Sequence, residues 1–498
     1  MKFRFSLFVW MLVGCLTVSA QDPVAEKYAN LITQEDLKEN LSILASDALE
    51  GRATGTRGQK MAAAFIRAHF EDLGLKGPVQ GSYFQPVELY SSRPGDTYIK
   101  AGGTVYKNLE NIIYFGAMDS NGEVSLPAVF VGRGRDADFD QVDVNGKAAV
   151  IMLGSEQSTR AASGKALEKG AKMVVLFNAD ADESARLMGQ FKRFLSGSRL
   201  SLKKETPRNS GVFIVSPDVA AAIFKSTPDK LAKAANDEKS SALKKIKEVD
   251  FAYKTSLEWK TVKSDNVLGY LEGTDKKDEL LVITAHYDHI GKLSSGEGDL
   301  INNGADDDGS GTVTVLQLAK AFAKAKADGH GPRRSILFMT VTGEEEGLLG
   351  SEYYSDNPIF PLENTVVNLN IDMVGRRDPQ HKDSAPYVYV IGSDKLSTEL
   401  HELSERVNNT YTKLIFDYTY NDQNHPDRLY YRSDHWNFAK KNIPIIFYFD
   451  GIHEDYHRPS DEVDKIEFDL LAHRAKCVFY TAWEIANREQ RILPDKEN

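Results

Sequence analysis

The stretch from Leu280 to Gly311 constrains this chain most. It opens with four apolar residues, Leu280, Leu281, Val282 and Ile283, and continues into TAHYDHIG, so a buried strand would end near His286 and Asp288. A second polar burst, NNGADDDGSG, places Asp306, Asp307 and Asp308 among small residues. It runs into residues 312–326, where Val315, Leu318, Ala319 and Phe322 recur at helical spacing. Three adjacent carboxylates beside a histidine pair repel one another unless a cation neutralises them, so the stretch predicts a metal site.

Beyond residue 266 the pattern becomes strand, loop and helix in repetition. Strands are expected at 280–284, 336–341, 366–371, 387–391 and 443–449, with a long last helix at 469–487. This rhythm predicts an α/β three-layer sandwich with a largely parallel central sheet. Sites in such sheets gather beyond the carboxyl ends of the strands, and polar residues recur there. His286 and Asp288 end the first strand, Glu344 and Glu345 follow the second, Asp372 ends the third, and His457 follows the last. Singly, each has an ordinary explanation as a turn, a cap or a surface residue. Together they are the nitrogen and oxygen ligands that zinc accepts, in sufficient number for two ions.

A chain of 498 residues is too long for one small core. Thr33 with Asp36 marks a helix start, EGRATGTRG reads as a loop, and a helix from Gln59 stops at Gly74. Residues 93–253 change to short β runs separated by glycine- and charge-rich turns, with one helix around 165–170 and a surface helix expected over 225–247. We therefore expect one domain made of 21–92 and 254–498, interrupted by an inserted β-rich domain at 93–253.

The formal charge of −11, with both signs interspersed, argues against a nucleic-acid partner. Lys2 and Arg4 precede an apolar run over 7–18 that ends in Val18, Ser19 and Ala20, the pattern of a signal peptide over 1–20 and hence of an exported, periplasmic or extracellular protein. Leu12, Val13, Gly14 and Cys15 resemble a bacterial lipobox, whose processing would leave a lipoprotein; the apolar residues after Cys15 favour the cut after Ala20. That cut leaves Cys477 alone, with no intramolecular disulfide available. No later stretch has the length of a membrane span.

Five motifs then stand in order: AHYD at 285–288, DDGSG at 307–311, GEEEGLLGS at 343–351, NIDMVG at 370–375 and YHRPSD at 456–461. In this order they resemble the co-catalytic dizinc exopeptidases, the family of aminopeptidase Y and the secreted bacterial leucyl aminopeptidases, and the inserted region resembles a protease-associated domain. The resemblance implies two Zn²⁺ ions, with His286 and Asp372 on one, Glu345 and His457 on the other, and Asp307 bridging both. It implies that Glu344 is the general base for a zinc-bridging water, that Asp288 fixes the tautomer of His286, and that Tyr456 helps to stabilise the oxyanion. The implied function is a secreted aminopeptidase acting on peptides. Alternatives on the same fold are a carboxypeptidase or dipeptidase, a glutaminyl-cyclase-like acyltransferase with one zinc, and an inactive receptor-like binding domain. A carboxypeptidase needs a cationic clamp, for which Arg376, Arg377 and Arg432 are candidates. His289 and Asp306 read as local hydrogen-bond partners. Ser433, Asp434 and His435 belong to a loop that borders the pocket or caps a helix.

Overall fold

The computed structural model describes residues 21–496 apart from 155–156, 197–198, 205, 207–208, 238, 240 and 423. The expected signal peptide, with its alternative processing points at Cys15 and Ala20, lies outside the described residues. The chain divides into two compact units, one formed by residues up to Val87 and from Lys263 onward, the other by Glu88–Val262. Both junctions fall inside continuous strands, Phe84–Pro94 and Leu257–Leu271. The expected boundaries at 93 and 253 lie inside the second unit because composition changes only beyond these strands.

The first unit is built on strands β1 (Leu257–Leu271), β2 (Lys276–His286), β3 (Arg334–Val341), β4 (Thr365–Ile371), β5 (Tyr387–Ile391), β6 (Ile415–Asp417) and β7 (Ile445–Phe449). Their order across the sheet is β6-β5-β7-β4-β2-β3-β1. At its centre β2 pairs in parallel with β3 and β4, and β4 with β7. β5 also pairs in parallel with β6, whereas β1 is antiparallel to β3 and β5 to β7, so the sheet is mixed, with four of the six pairings among these strands parallel. For β1 the reason is local. Residues 272–275 alone join it to β2, too few for a crossover, so the chain must reverse.

Side chains of β2 alternate between two cores, as strand geometry requires. Leu281, Ile283 and Ala285 pack with Leu316 and Phe322 of helix α1 (Gly311–Ala327) and with Phe479 and Trp483 of helix α2 (Phe468–Asn487). Leu280 and Val282 face the other way, towards Leu337, Met339, Phe438 and Phe447. Burial on both faces, about 1.5–3 kcal/mol for each such side chain, explains why the central strands read as continuous apolar runs. The pairing of His286 with Val341 and of Thr284 with Asn370 brings the carboxyl ends of β2, β3 and β4 to one level.

The second unit holds an eight-stranded sheet. In its middle, Glu123–Phe130, Ala148–Leu153, Met173–Asn178 and Gly211–Val215 pair in parallel in that order. Helices Thr159–Glu168, Ala181–Ser196 and Pro217–Ile223 accompany them, so this unit is α/β rather than simply β-rich. The helix expected over 225–247 is instead Pro228–Ala235 followed by a separate turn at Ser241–Lys245. The Asp237 carboxylate accepts the Ser241 hydroxyl and the Ala242 N–H, both at 2.8 Å, a local turn that competes with helix continuation.

Candidate metal centre

His286 terminates β2, and its backbone is held on both sides: Thr312 donates its hydroxyl to the His286 carbonyl at 2.8 Å, and Asp308 accepts the His286 N–H at 3.0 Å. The other oxygen of Asp308 accepts the N–H groups of Gly311 at 2.9 Å and Met373 at 3.1 Å. Asp308 therefore ties the ends of β2 and β4 to the start of α1. A side chain at Gly311 does not fit, because its Cβ would lie 2.3 Å from Asp308 Oδ1 and 2.4 Å from the Ile371 carbonyl. The Asp307–Asp308 peptide bond is cis. Asp461, the last residue of YHRPSD, accepts the N–H of Asp306 at 3.1 Å and of Asp307 at 3.2 Å.

These restraints aim the Asp307 carboxylate between two imidazoles. Its Oδ1 lies 3.2 Å from His286 Nε2 and its Oδ2 lies 3.1 Å from His457 Nε2. His286 Nε2 is also 3.6 Å from Asp372 Oδ1, while His457 Nε2 is 3.1 Å from Glu345 Oε2. The structure thus gathers all five residues expected to bind metal into two sets that share Asp307. Glu344 Oε2 is 3.9 Å from His286 Nε2, beside the first set.

The donor set fits divalent cations. His286, Glu344 and Asp372 form one group, and His289, Asp307 and Glu345 another, whose ligand atoms lie within 4.8 Å of one another inside each group. Burial drives the Glu344 carboxyl well above the ordinary glutamate value, and Asp372 and Glu345 add to the effect. Burial alone would lower the His286 imidazole, but Glu344 and Asp372 outweigh it and hold it well above its usual value. Without a cation the cluster balances its charge by keeping protons, which is what metal binding displaces. Glu345 Oε1 and both ring nitrogens of His289 are buried and make no aligned hydrogen bond among the described residues, although His289 Nδ1 is 2.7 Å from that oxygen. His289 thus stands against the ligand cluster itself rather than beside it as a local partner.

Asp288 acts differently from expectation. The His286 Nδ1 lies 3.0 Å from the Asp288 backbone carbonyl and 4.0 Å from its carboxylate, so the carbonyl is what fixes the tautomer. The carboxylate accepts the Thr54 hydroxyl at 2.8 Å and the Glu344 N–H at 3.2 Å instead. It holds Glu344 in place. Tyr456 stacks on His457 with ring centroids 3.9 Å apart, and burial among carboxylates raises its phenol and keeps it protonated.

Several supporting residues make contacts that no local sequence pattern signals. Ser433 caps nothing; it donates to Asp372 Oδ2 at 2.6 Å and accepts from Asn370 at 2.8 Å. His435 is buried against the Tyr430 carbonyl at 2.8 Å, and Asp434 is buried beside it, pushed up to about 7 by desolvation. Arg52, from EGRATGTRG, is fully buried and donates to the carbonyls of Leu44, Tyr287, Asn303 and Gly304. Asp306 faces the buried His453 at 3.1 Å. Arg376 and Arg377 are committed to Asp455 at 3.0 Å and Glu467 at 2.9 Å.

The model of peptidase family M28 matches residues 266–482, the span that carries all five candidate metal ligands. This similarity to peptidase family M28, with that to the aminopeptidases below, makes the chain a metallo-exopeptidase. The chain is 25% identical over 457 residues to aminopeptidase YwaD of Bacillus subtilis, covering 90% of the chain and 84% of the relative. It is 30% identical over 219 residues to a probable leucine aminopeptidase of Trichophyton verrucosum, covering 42% of the chain and 55% of that protein, so it spans about half the fungal relative's length. Among solved structures, an aminopeptidase from Aneurinibacillus sp. strain AM-1 superposes with a TM-score of 0.52 at 20% identity, covering 95% of this chain and 98% of that one. BSAP, a zinc aminopeptidase from Bacillus subtilis, gives 0.50 at 21% identity over 94% and 99%. At these identities the likeness to solved structures is one of fold.

Proposed function

We propose that this protein is an exported aminopeptidase that holds two zinc ions and removes N-terminal residues from peptides. One observation carries the reading: Asp307 presents one oxygen to each of two imidazole–carboxylate sets. His286 and Asp372 would hold one ion, Glu345 and His457 the other, and Asp307 both. When bound, zinc supplies Lewis acidity and acidifies a water molecule. Glu344, raised by burial and anchored by Asp288, accepts the proton of the attacking water and passes it to the departing amine. The protonated Tyr456 phenol donates to the oxyanion as it develops.

The acidic rim favours an ammonium group, hence the amino end of the substrate. Of the three arginines that could clamp a peptide carboxylate, Arg376 and Arg377 are committed to Asp455 and Glu467, which leaves only Arg432. The names of the bacterial and fungal relatives support the amino end too. The full ligand set speaks against a one-zinc acyltransferase or an inactive receptor domain. Export rests on the sequence of residues 1–20, and the second unit is read as a protease-associated-type insertion on the strength of its place in the chain. Elemental analysis with chelator titration tests the metal count. Two equivalents are expected for full activity; full activity with one tightly bound equivalent would move the reading to the acyltransferase class.

A further inference from the structure

Two pockets meet at Glu344, Arg432 and Tyr456. The first contains His286, Asp307 and Asp372 and is walled by Met373, Leu429, Phe447, Phe449 and Ile452, with about 390 Å³ of space including its open mouth. The second is wider, about 980 Å³ with its mouth included, and is bordered by Tyr431, Trp436 and Lys440. Arg432 lines both. An enzyme that removes one residue from the amino end needs one closed pocket for that residue and an open path for the rest. The small pocket, with its apolar wall beside the candidate ion sites, suits a single side chain. The wide one, sharing the Glu344 that protonates the departing amine, suits the residues beyond the scissile bond.

Unlike Arg376 and Arg377, Arg432 has no carboxylate partner among the described residues. Neither Arg432 nor Lys440 has a described carboxylate within ion-pair distance of its charged group, although Glu352 lines the same wide pocket. A guanidinium lining both pockets, with an ammonium lining the wide one, presents a planar donor fork and a second cation to the leaving segment. We propose that Arg432, with Lys440 of the same wide pocket, receives a carboxylate on the residue after the scissile bond. The favoured substrates are then short peptides in which that residue carries a free C-terminus or an acidic side chain. The inference rests on the aminopeptidase reading and adds the substrate class to it.

The test is kcat/KM of the zinc-loaded enzyme on Leu-Ala, Leu-Ala-amide and Leu-Glu-amide, for wild type, Arg432→Ala and Arg432→Lys, with thermal melting to confirm the fold. Wild type should prefer a carboxylate-bearing substrate over Leu-Ala-amide by about tenfold, within the range of hydrogen bonds to charged groups. Arg432→Ala should lower that ratio towards one, mainly through KM, and Arg432→Lys should keep part of it. A preference confined to Leu-Ala assigns the site to the α-carboxylate; one confined to Leu-Glu-amide assigns it to the side chain. Equal rates on all three in wild type, or ratios that Arg432→Ala leaves unmoved, overturn the proposal and leave the aminopeptidase reading standing. Equal cleavage of N-acetyl-Leu-Ala and Leu-Ala sinks the underlying reading whatever Arg432 does.

Discussion

The Ser433 hydroxyl lies 2.6 Å from Asp372 Oδ2, the carboxylate oxygen turned away from His286, and so fixes which oxygen is left for a metal. Thr284 and Asn370 extend the chain of hydrogen bonds behind it, at 2.6 and 2.8 Å, from inside the sheet. Asp372 is thereby oriented before any ion arrives.

Ser433→Ala should therefore lower zinc affinity by about 10–100-fold, the usual cost of losing such an outer partner. Competition with a fluorescent chelator reads it. Unchanged affinity in a protein that melts like wild type would show that the hydroxyl does not orient the ligand.

Glu344→Gln keeps the side-chain shape and its distance from His286 but cannot accept a proton. We expect kcat to fall by at least about 10²-fold with metal content and melting temperature unchanged. Turnover near the wild-type rate at full metal content would remove Glu344 from the role of base.

Arg52→Ala leaves the buried carbonyls of Tyr287, Leu44, Asn303 and Gly304 without their donor. Each unsatisfied buried group costs about 1–3 kcal/mol, so a loss of at least ~3 kcal/mol in unfolding free energy is expected from urea denaturation. The turn holding Asp307 should loosen with it, and zinc affinity should drop in parallel. A loss below ~1 kcal/mol would mean that water replaces the guanidinium.

The contrast between Asp307 and Arg52 shows which parts of this molecule are legible in its sequence. The central strands are readable because both faces are buried, which turns Leu280 to Ile283 into an apolar run, and most of the candidate ligands because His286, Glu345 and Asp372 sit just past such runs, while Asp307 stands out as one of three adjacent carboxylates. Helix Phe468–Asn487 is readable from its period. The supports are not. Arg52 reaches Tyr287 across 235 positions, and Ser433 reaches Asp372 across 61, so no local pattern signals either contact. Asp288 misleads for a related reason: spacing places it near His286, but the turn after β2 sends its carbonyl rather than its carboxylate to the ring. The antiparallel edges of the sheet and helix Ala181–Ser196 escape notice because strand direction and a charged, alanine-containing helix leave weak traces in periodicity.

The most direct test of the central claim is to offer the zinc-loaded enzyme Leu-p-nitroanilide and N-acetyl-Leu-p-nitroanilide under identical conditions. If the acidic rim and the two ions receive a free amine, the first is cleaved and the acetylated form is nearly inert, at least about 10²-fold slower, because acetylation removes both the charge and the lone pair that could meet the metal. Comparable rates on the two substrates would contradict the account: the zinc hydrolase would remain, but it would not be reading the amino end of its substrate.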